Sequence, residues 1–162
     1  MNQKAIKAAF GLIIFSAFFF SGCMSVNHQV TKSIAQKQSL MSVDISKNTS
    51  SLNAKETELF EKTLLTRLEK AGFQKSGKNK LTIEYKVVNF NPGSRFLRYM
   101  FGIFGAGKAT LTLEIKYMKD GKVLSEAKVD GQLRIGTFGG PAGSLFEEAG
   151  LKVAEYTIAN FK

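Results

Sequence analysis

The chain has 162 residues, a formal net charge of +10, one cysteine, one histidine and no tryptophan. Its length suits a single compact domain. The lone cysteine rules out an internal disulfide, and the scarcity of Cys and His leaves no familiar nucleophile–base pair.

Lys4 and Lys7 precede an apolar stretch, residues 8–20, that ends in Phe20-Ser21-Gly22-Cys23. The stretch falls short of the ~20 residues a spanning helix needs, and the layout is that of a secretory signal peptide. The tetrad resembles the lipobox of bacterial lipoproteins, with Phe20 where that pattern favours Leu. The resemblance implies that residues 1–22 are removed and that Cys23 is acylated to anchor the chain in a membrane. The mature chain is then 140 residues with a net charge of +8, since Lys4 and Lys7 leave with the signal. Met24 follows the cysteine, where Asp commonly signals inner-membrane retention. The expected location is therefore the cell envelope, on the outer membrane facing the periplasm. For a basic, exported domain the expected acidic partners are lipid headgroups, envelope phosphates or cell-wall carboxylates, not nucleic acid.

Residues 24–38 are polar and aperiodic. Together with Cys23 they read as a lipidated, flexible tether over residues 23–39, reaching roughly 50 Å when extended. His28 falls here, and a histidine with no second ligand at suitable spacing does not predict a metal site. Residues 40–162 read as the globular domain. Leu40, Met41, Val43 and Ile45 suggest a short strand, and residues 48–53 a turn in which Asn53 is placed to cap a helix. Leu59, Phe60, Leu64, Leu68 and Ala71 then recur at helical spacing up to Gly72, predicting a helix over about 55–71. Leu81, Ile83, Tyr85 and Val87 alternate as a half-buried strand, and so do Ala109, Leu111, Leu113, Ile115 and Tyr117. Asp120-Gly121 favours a hairpin turn into a return strand through Leu133, with a bulge expected at Gly131. Ser144 is placed to cap a last helix with Leu145, Phe146, Ala149, Val153 and Tyr156 on its apolar face. The fold class expected is α+β: a two-layer sandwich with a mainly antiparallel sheet of about four strands and two amphipathic helices on one face.

Residues 91–108 interrupt this pattern as a glycine- and aromatic-rich insertion. A short helix from Arg95 would place Phe96, Leu97, Met100, Phe101 and Phe104 on one side and Arg95 and Arg98 on the other. An apolar stripe at helical spacing is ordinarily core, so burial on the open sheet is the first expectation, with Phe96 and Leu97 deeper than Phe101. Contact with a partner or a second copy, or placement in a membrane interface, are the alternatives. Residues 102–108 also match the first seven positions of a nucleotide phosphate loop. However, Ala109 stands where a magnesium-binding hydroxyl belongs, and an alternating strand follows instead of a helix. No nucleotide, cofactor or metal is expected. Glu147 and Glu148 diverge by about 100° on a helix and form no catalytic dyad, so no catalytic residue is assigned and an enzyme is not expected.

Asn91-Pro92-Gly93-Ser94-Arg95, Arg98-Tyr99, Gly102, Gly105-Ala106-Gly107-Lys108-Ala109 and the later Gly139-Gly140 resemble the central motif of a bacterial lipoprotein family known as domain of unknown function 4410. The resemblance covers roughly residues 40–160. It implies an envelope lipoprotein of mixed α/β fold with no established activity. The function expected is a non-catalytic, lipid-anchored envelope protein that recognises another envelope component, a protein or a second copy, through the insertion. The candidate contact residues are Arg95, Phe96, Arg98, Tyr99, Phe101, Phe104 and Lys108. The alternative is a module for an anionic glycan or lipid headgroup, read by the basic members of that set, and a cryptic enzyme ranks third.

Overall fold

A computed structural model describes residues 24–47, 54–75, 77, 79–134 and 140–162. The predicted signal segment, Cys23, the cap at Asn53 and Gly139 lie outside them. In chain order the elements are β1 (Met24–Lys32), β2 (Ser42–Lys47), α1 (Ala54–Lys70), β3 (Lys80–Asn91), α2 (Arg95–Phe101), a 3-10 turn (Gly102–Phe104), β4 (Ala109–Lys119), β5 (Lys122–Leu133) and α3 (Ser144–Phe161).

The fold is mixed α+β, as expected, but its sheet differs from the expectation. It has five strands in the order β1-β5-β4-β3-β2, and among the described residues three helices accompany it instead of two. The sheet is also mixed: β2 runs parallel to β3, and the other pairs are antiparallel. The parallel pair follows from the strand–helix–strand order. A parallel neighbour needs a long crossover, and α1 supplies it.

The extra strand is β1, in the segment read as a tether. Met24 lies opposite Leu133 and Lys32 opposite Glu126 on β5. An edge strand needs only one covered side, and only Val26 and His28 of β1 are half-buried. Seven exposed residues around two therefore look aperiodic and polar in the sequence. Two further expectations are corrected locally. Gly131 pairs in regular register between Val26 and Leu111, and the irregularities in β3 and β4 fall at Val87–Asn89 and Tyr117–Met118. Ser144 is the first residue of α3 and caps nothing; its hydroxyl donates to the Pro141 carbonyl at 2.7 Å.

The core is built from the alternating positions the sequence marks. Leu81, Ile83 and Tyr85 of β3, Leu113, Ile115 and Tyr117 of β4, and Val129 of β5 are all buried. Helix α1 brings Phe60, Leu64 and Leu68 to them, and α3 brings Phe146, Val153 and Phe161. Phe60 packs on Tyr85 with ring centres 4.7 Å apart, Phe161 on Tyr117 at 5.4 Å, and Phe146 on Phe90 at 4.9 Å. The two long helices also touch each other closely. A Cβ built on Gly150 would lie 2.8 Å from the Phe60 carbonyl oxygen.

Edge strand β1 is fastened by a polar–aromatic cluster. The His28 ring stacks on Tyr156 at 4.9 Å, and its Nε2 lies 3.2 Å from the Tyr117 hydroxyl. Ser125 donates to the Lys32 carbonyl at 2.7 Å and shares a 2.7 Å hydrogen bond with Tyr156. Burial holds the His28 imidazole below its ordinary value, and burial raises the Tyr117 phenol. The unfolded chain therefore binds a proton on His28 before the folded chain does. Stability is full above the ordinary value of 6.5 and falls as pH drops through it toward the lowered folded value. We predict that thermal melts across this window show acid destabilisation, and that His28→Gln flattens the dependence. An unchanged slope in the variant would contradict the assignment, because His28 is the only histidine in the chain.

Candidate functional site

The segment 91–108 leaves the sheet at the end of β3 and returns into β4. Its base is closed by backbone and turn chemistry. The Asn91 side-chain oxygen accepts from the Gly93 amide at 2.9 Å, the Ser94 hydroxyl accepts from the Leu97 amide at 3.3 Å as the cap of α2, and the Ser94 amide donates to the Gly107 carbonyl at 3.1 Å. Gly93 and Gly107 stand where the two arms of this neck meet, both with positive φ (59° and 69°). A Cβ on Gly93 would lie 2.2 Å from the Lys108 carbonyl oxygen, and one on Gly107 would lie 2.5 Å from that of Ser94. No side chain fits at either position. Both glycines serve the close approach of two backbones, Gly107 although it matches a phosphate-loop position in the sequence, and the chain runs from Lys108 into strand β4.

Arg98 locks the neck. It is the one buried residue of α2, only 2% exposed. One guanidinium nitrogen donates to the Pro92 carbonyl at 2.6 Å and to the Gly107 carbonyl at 2.8 Å; the other donates to the Gly140 carbonyl at 3.0 Å. The planar fork of arginine suits several fixed acceptors at once. Burial, with Arg95 nearby, lowers the guanidinium below its usual value, which is high enough that the group stays charged near neutrality. Arg98 therefore joins three separate stretches of chain and is turned away from any ligand. Its expected place among the ligand-facing residues is corrected by this geometry.

The apolar side of the segment is corrected as well. Phe96, Leu97, Tyr99, Met100, Phe101 and Phe104 are all exposed, from 40% at Leu97 to 86% at Phe104. Phe96 and Leu97, expected deepest, are not in the core. The reason is the neck: its interior is filled by a guanidinium and by carbonyl groups, so a seven-residue helix has no apolar surface to lie on. Arg95 and Lys108 are also exposed and flank the aromatic side chains. Six of the seven candidate residues are thus exposed on this protrusion, and the seventh, Arg98, is buried and fastens its base. Depressions on the polar sheet face and between α1 and α3 include none of these residues. Among the described residues, no group of His, Cys, Asp and Glu is arranged to hold a metal.

These features define an α+β domain with a clamped aromatic protrusion at one end of its sheet. The chain belongs to the family described as Domain of unknown function (DUF4410), whose model matches residues 24–137. Seven of the motif residues of that resemblance (Asn91, Pro92, Gly93, Ser94, Arg98, Gly107 and Gly140) are parts of the neck. No curated protein matches the chain. Among solved structures it is similar to a PelC dodecamer from Paraburkholderia phytofirmans (11% identity, 86% of this chain and 99% of that one, TM-score 0.45). A variant of that PelC gives 12% identity, 86% and 98% coverage and the same TM-score of 0.45. A PDZ domain protein from Parabacteroides distasonis is also similar (13% identity, 98% of this chain and 40% of that one, TM-score 0.42).

The clamp makes a direct prediction. Arg98→Ala leaves the Pro92 and Gly140 carbonyls without the guanidinium, the Gly107 carbonyl keeping the Ser94 amide, and should cost at least about 2 kcal/mol, since each acceptor left without a partner costs about 1–3 kcal/mol. Phe101→Ala and Phe104→Ala remove exposed groups and should stay within about 0.5 kcal/mol of the parent. Denaturant melts check both. A tolerated Arg98→Ala, or a strongly destabilising Phe104→Ala, would invert the assignment of which side of α2 is inside.

Proposed function

We propose that the protein is a non-catalytic, lipid-anchored component of the cell envelope that docks on another envelope component through segment 91–108. The observation that carries this reading is the exposed aromatic surface on a rigid mount. Contiguous apolar patches on a protein surface mark interaction sites, and here the fold invests a buried arginine and two sterically obligatory glycines in presenting one. The lipobox-like Phe20-Ser21-Gly22-Cys23 supports acylation at Cys23, and Met24 after it supports the outer membrane, facing the periplasm. The arrangement fits a two-layer sandwich in which α1 and α3 cover one side of the sheet and leave the insertion outside both layers. The charge-led alternative, an anionic glycan or headgroup module, loses Arg98 to the neck and keeps only Arg95 and Lys108 from the insertion. Docking led by apolar contact is therefore favoured.

Two measurements test this. Cys23→Ser should leave an unprocessed precursor that incorporates no labelled fatty acid, whereas the parent is acylated; normal processing of the variant would remove the anchor. Association of the unacylated chain with isolated envelopes should persist in high salt, where the screening length shrinks to about 3 Å, and should fall with Phe101→Ala and Phe104→Ala together. Binding abolished by salt and indifferent to the aromatic changes would instead support the anionic-ligand module.

A further inference from the structure

We infer that the envelope component met by the aromatic protrusion is the bilayer itself: the protrusion seats in the membrane interface beside the Cys23 anchor and fixes the orientation of the domain. The inference rests on the anchor and docking reading above and deepens it by naming the surface. Sheet register places the protrusion beside Cys23. Met24 pairs with Leu133, and Leu133 pairs on its other side with Ala109, the first residue of β4. Asn91, the last residue of β3, pairs with Thr110. The start of β1, the end of β5 and both roots of the protrusion therefore share one end of the sheet. With strands about 4.8 Å apart, Met24 and Ala109 are separated by roughly 10 Å.

Between Cys23 and the sheet there is no slack. Met24 is held in the sheet, with its sulfur 3.6 Å from the Ser144 hydroxyl oxygen. Cys23 is the adjoining residue, and one residue spans at most about 3.8 Å. An acyl group on Cys23 draws this end of the sheet, and no other, against the bilayer. The opposite end, with the turn Lys119–Lys122, points away. The composition of the protrusion suits the same boundary. Phenylalanines, a tyrosine and a methionine flanked by Arg95 and Lys108, with Arg134 exposed just after β5, are the side chains that settle at the boundary of headgroups and acyl chains. A docking surface for a partner in the aqueous space would be expected at the free end, not beside the anchor.

Because acyl chains already hold the protein, the protrusion acts on tilt and depth more than on partitioning. The chain has no tryptophan, so single reporters can be placed cleanly. Full-length acylated protein carrying Phe104→Trp, or Lys122→Trp at the far turn, is reconstituted in phosphatidylethanolamine–phosphatidylglycerol vesicles with acyl chains brominated near the headgroup. The Phe104→Trp reporter should shift to the blue and lose most of its emission, as for a side chain about 5–10 Å into the boundary region; the Lys122→Trp reporter should do neither. Equal, unquenched emission from both overturns the inference. A blue-shifted Phe104→Trp reporter that bromine leaves bright also overturns it, in favour of a second copy covering the patch. Mass spectrometry of Cys23 on the same samples separates the two readings. Acylated but unquenched protein refutes the seating and spares the anchor; quenched but unacylated protein refutes the anchor and spares the seating.

Discussion

The buried guanidinium of Arg98 is the constraint on which the protruding end of the molecule depends. A charge removed from water is costly unless its donors are satisfied, and here three carbonyls from two loops meet it. That requirement closes the neck. With the charge and the carbonyls inside, the glycines at 93 and 107 must be glycines and the aromatic residues of α2 must lie outside. The exposed patch is thus a consequence of how the neck is satisfied, and it does not require a partner to hold its shape.

The sheet supplies the direction in which that patch faces. Pairing of β1 with β5 places the residue after Cys23 at the end of the sheet from which the protrusion rises. The cluster of His28, Tyr117, Tyr156 and Ser125 keeps this polar edge strand in place, with ring stacking and hydrogen bonds doing what apolar burial does for the inner strands. In the proposed function the N-terminal strand is accordingly the link between anchor and docking surface, a different role from that of a loose leash.

Much of the fold was legible in the sequence because it repeats with a physical period. Phe60, Leu64 and Leu68 marked α1, the alternation from Leu81 and from Leu111 marked β3 and β4, and Asp120-Gly121 marked the hairpin turn. What escaped had weak or misleading periods. Edge strand β1 buries only part of one side, so Val26 and His28 stand isolated among polar neighbours. In α2 the helical stripe was read correctly as a stripe but assigned to the wrong side, because a short helix over a polar neck reverses the usual rule. A signal for Arg98 did exist. Pro92-Gly93, Gly105 to Gly107 and Gly140 bring bare carbonyls together, and a multidentate donor nearby is the natural answer to them.

Amide exchange at the neck tests the central claim most directly. The Ser94 amide donates to the Gly107 carbonyl and the Arg98 amide to the Ser94 carbonyl, at 3.1 and 3.0 Å. In a rigidly mounted protrusion both should exchange far more slowly than free peptide, and Arg98→Lys should release them while the amides of β4 stay protected. Native Ser94 and Arg98 amides exchanging at free-peptide rates would show that the aromatic side chains ride on a loose loop, and would contradict the account.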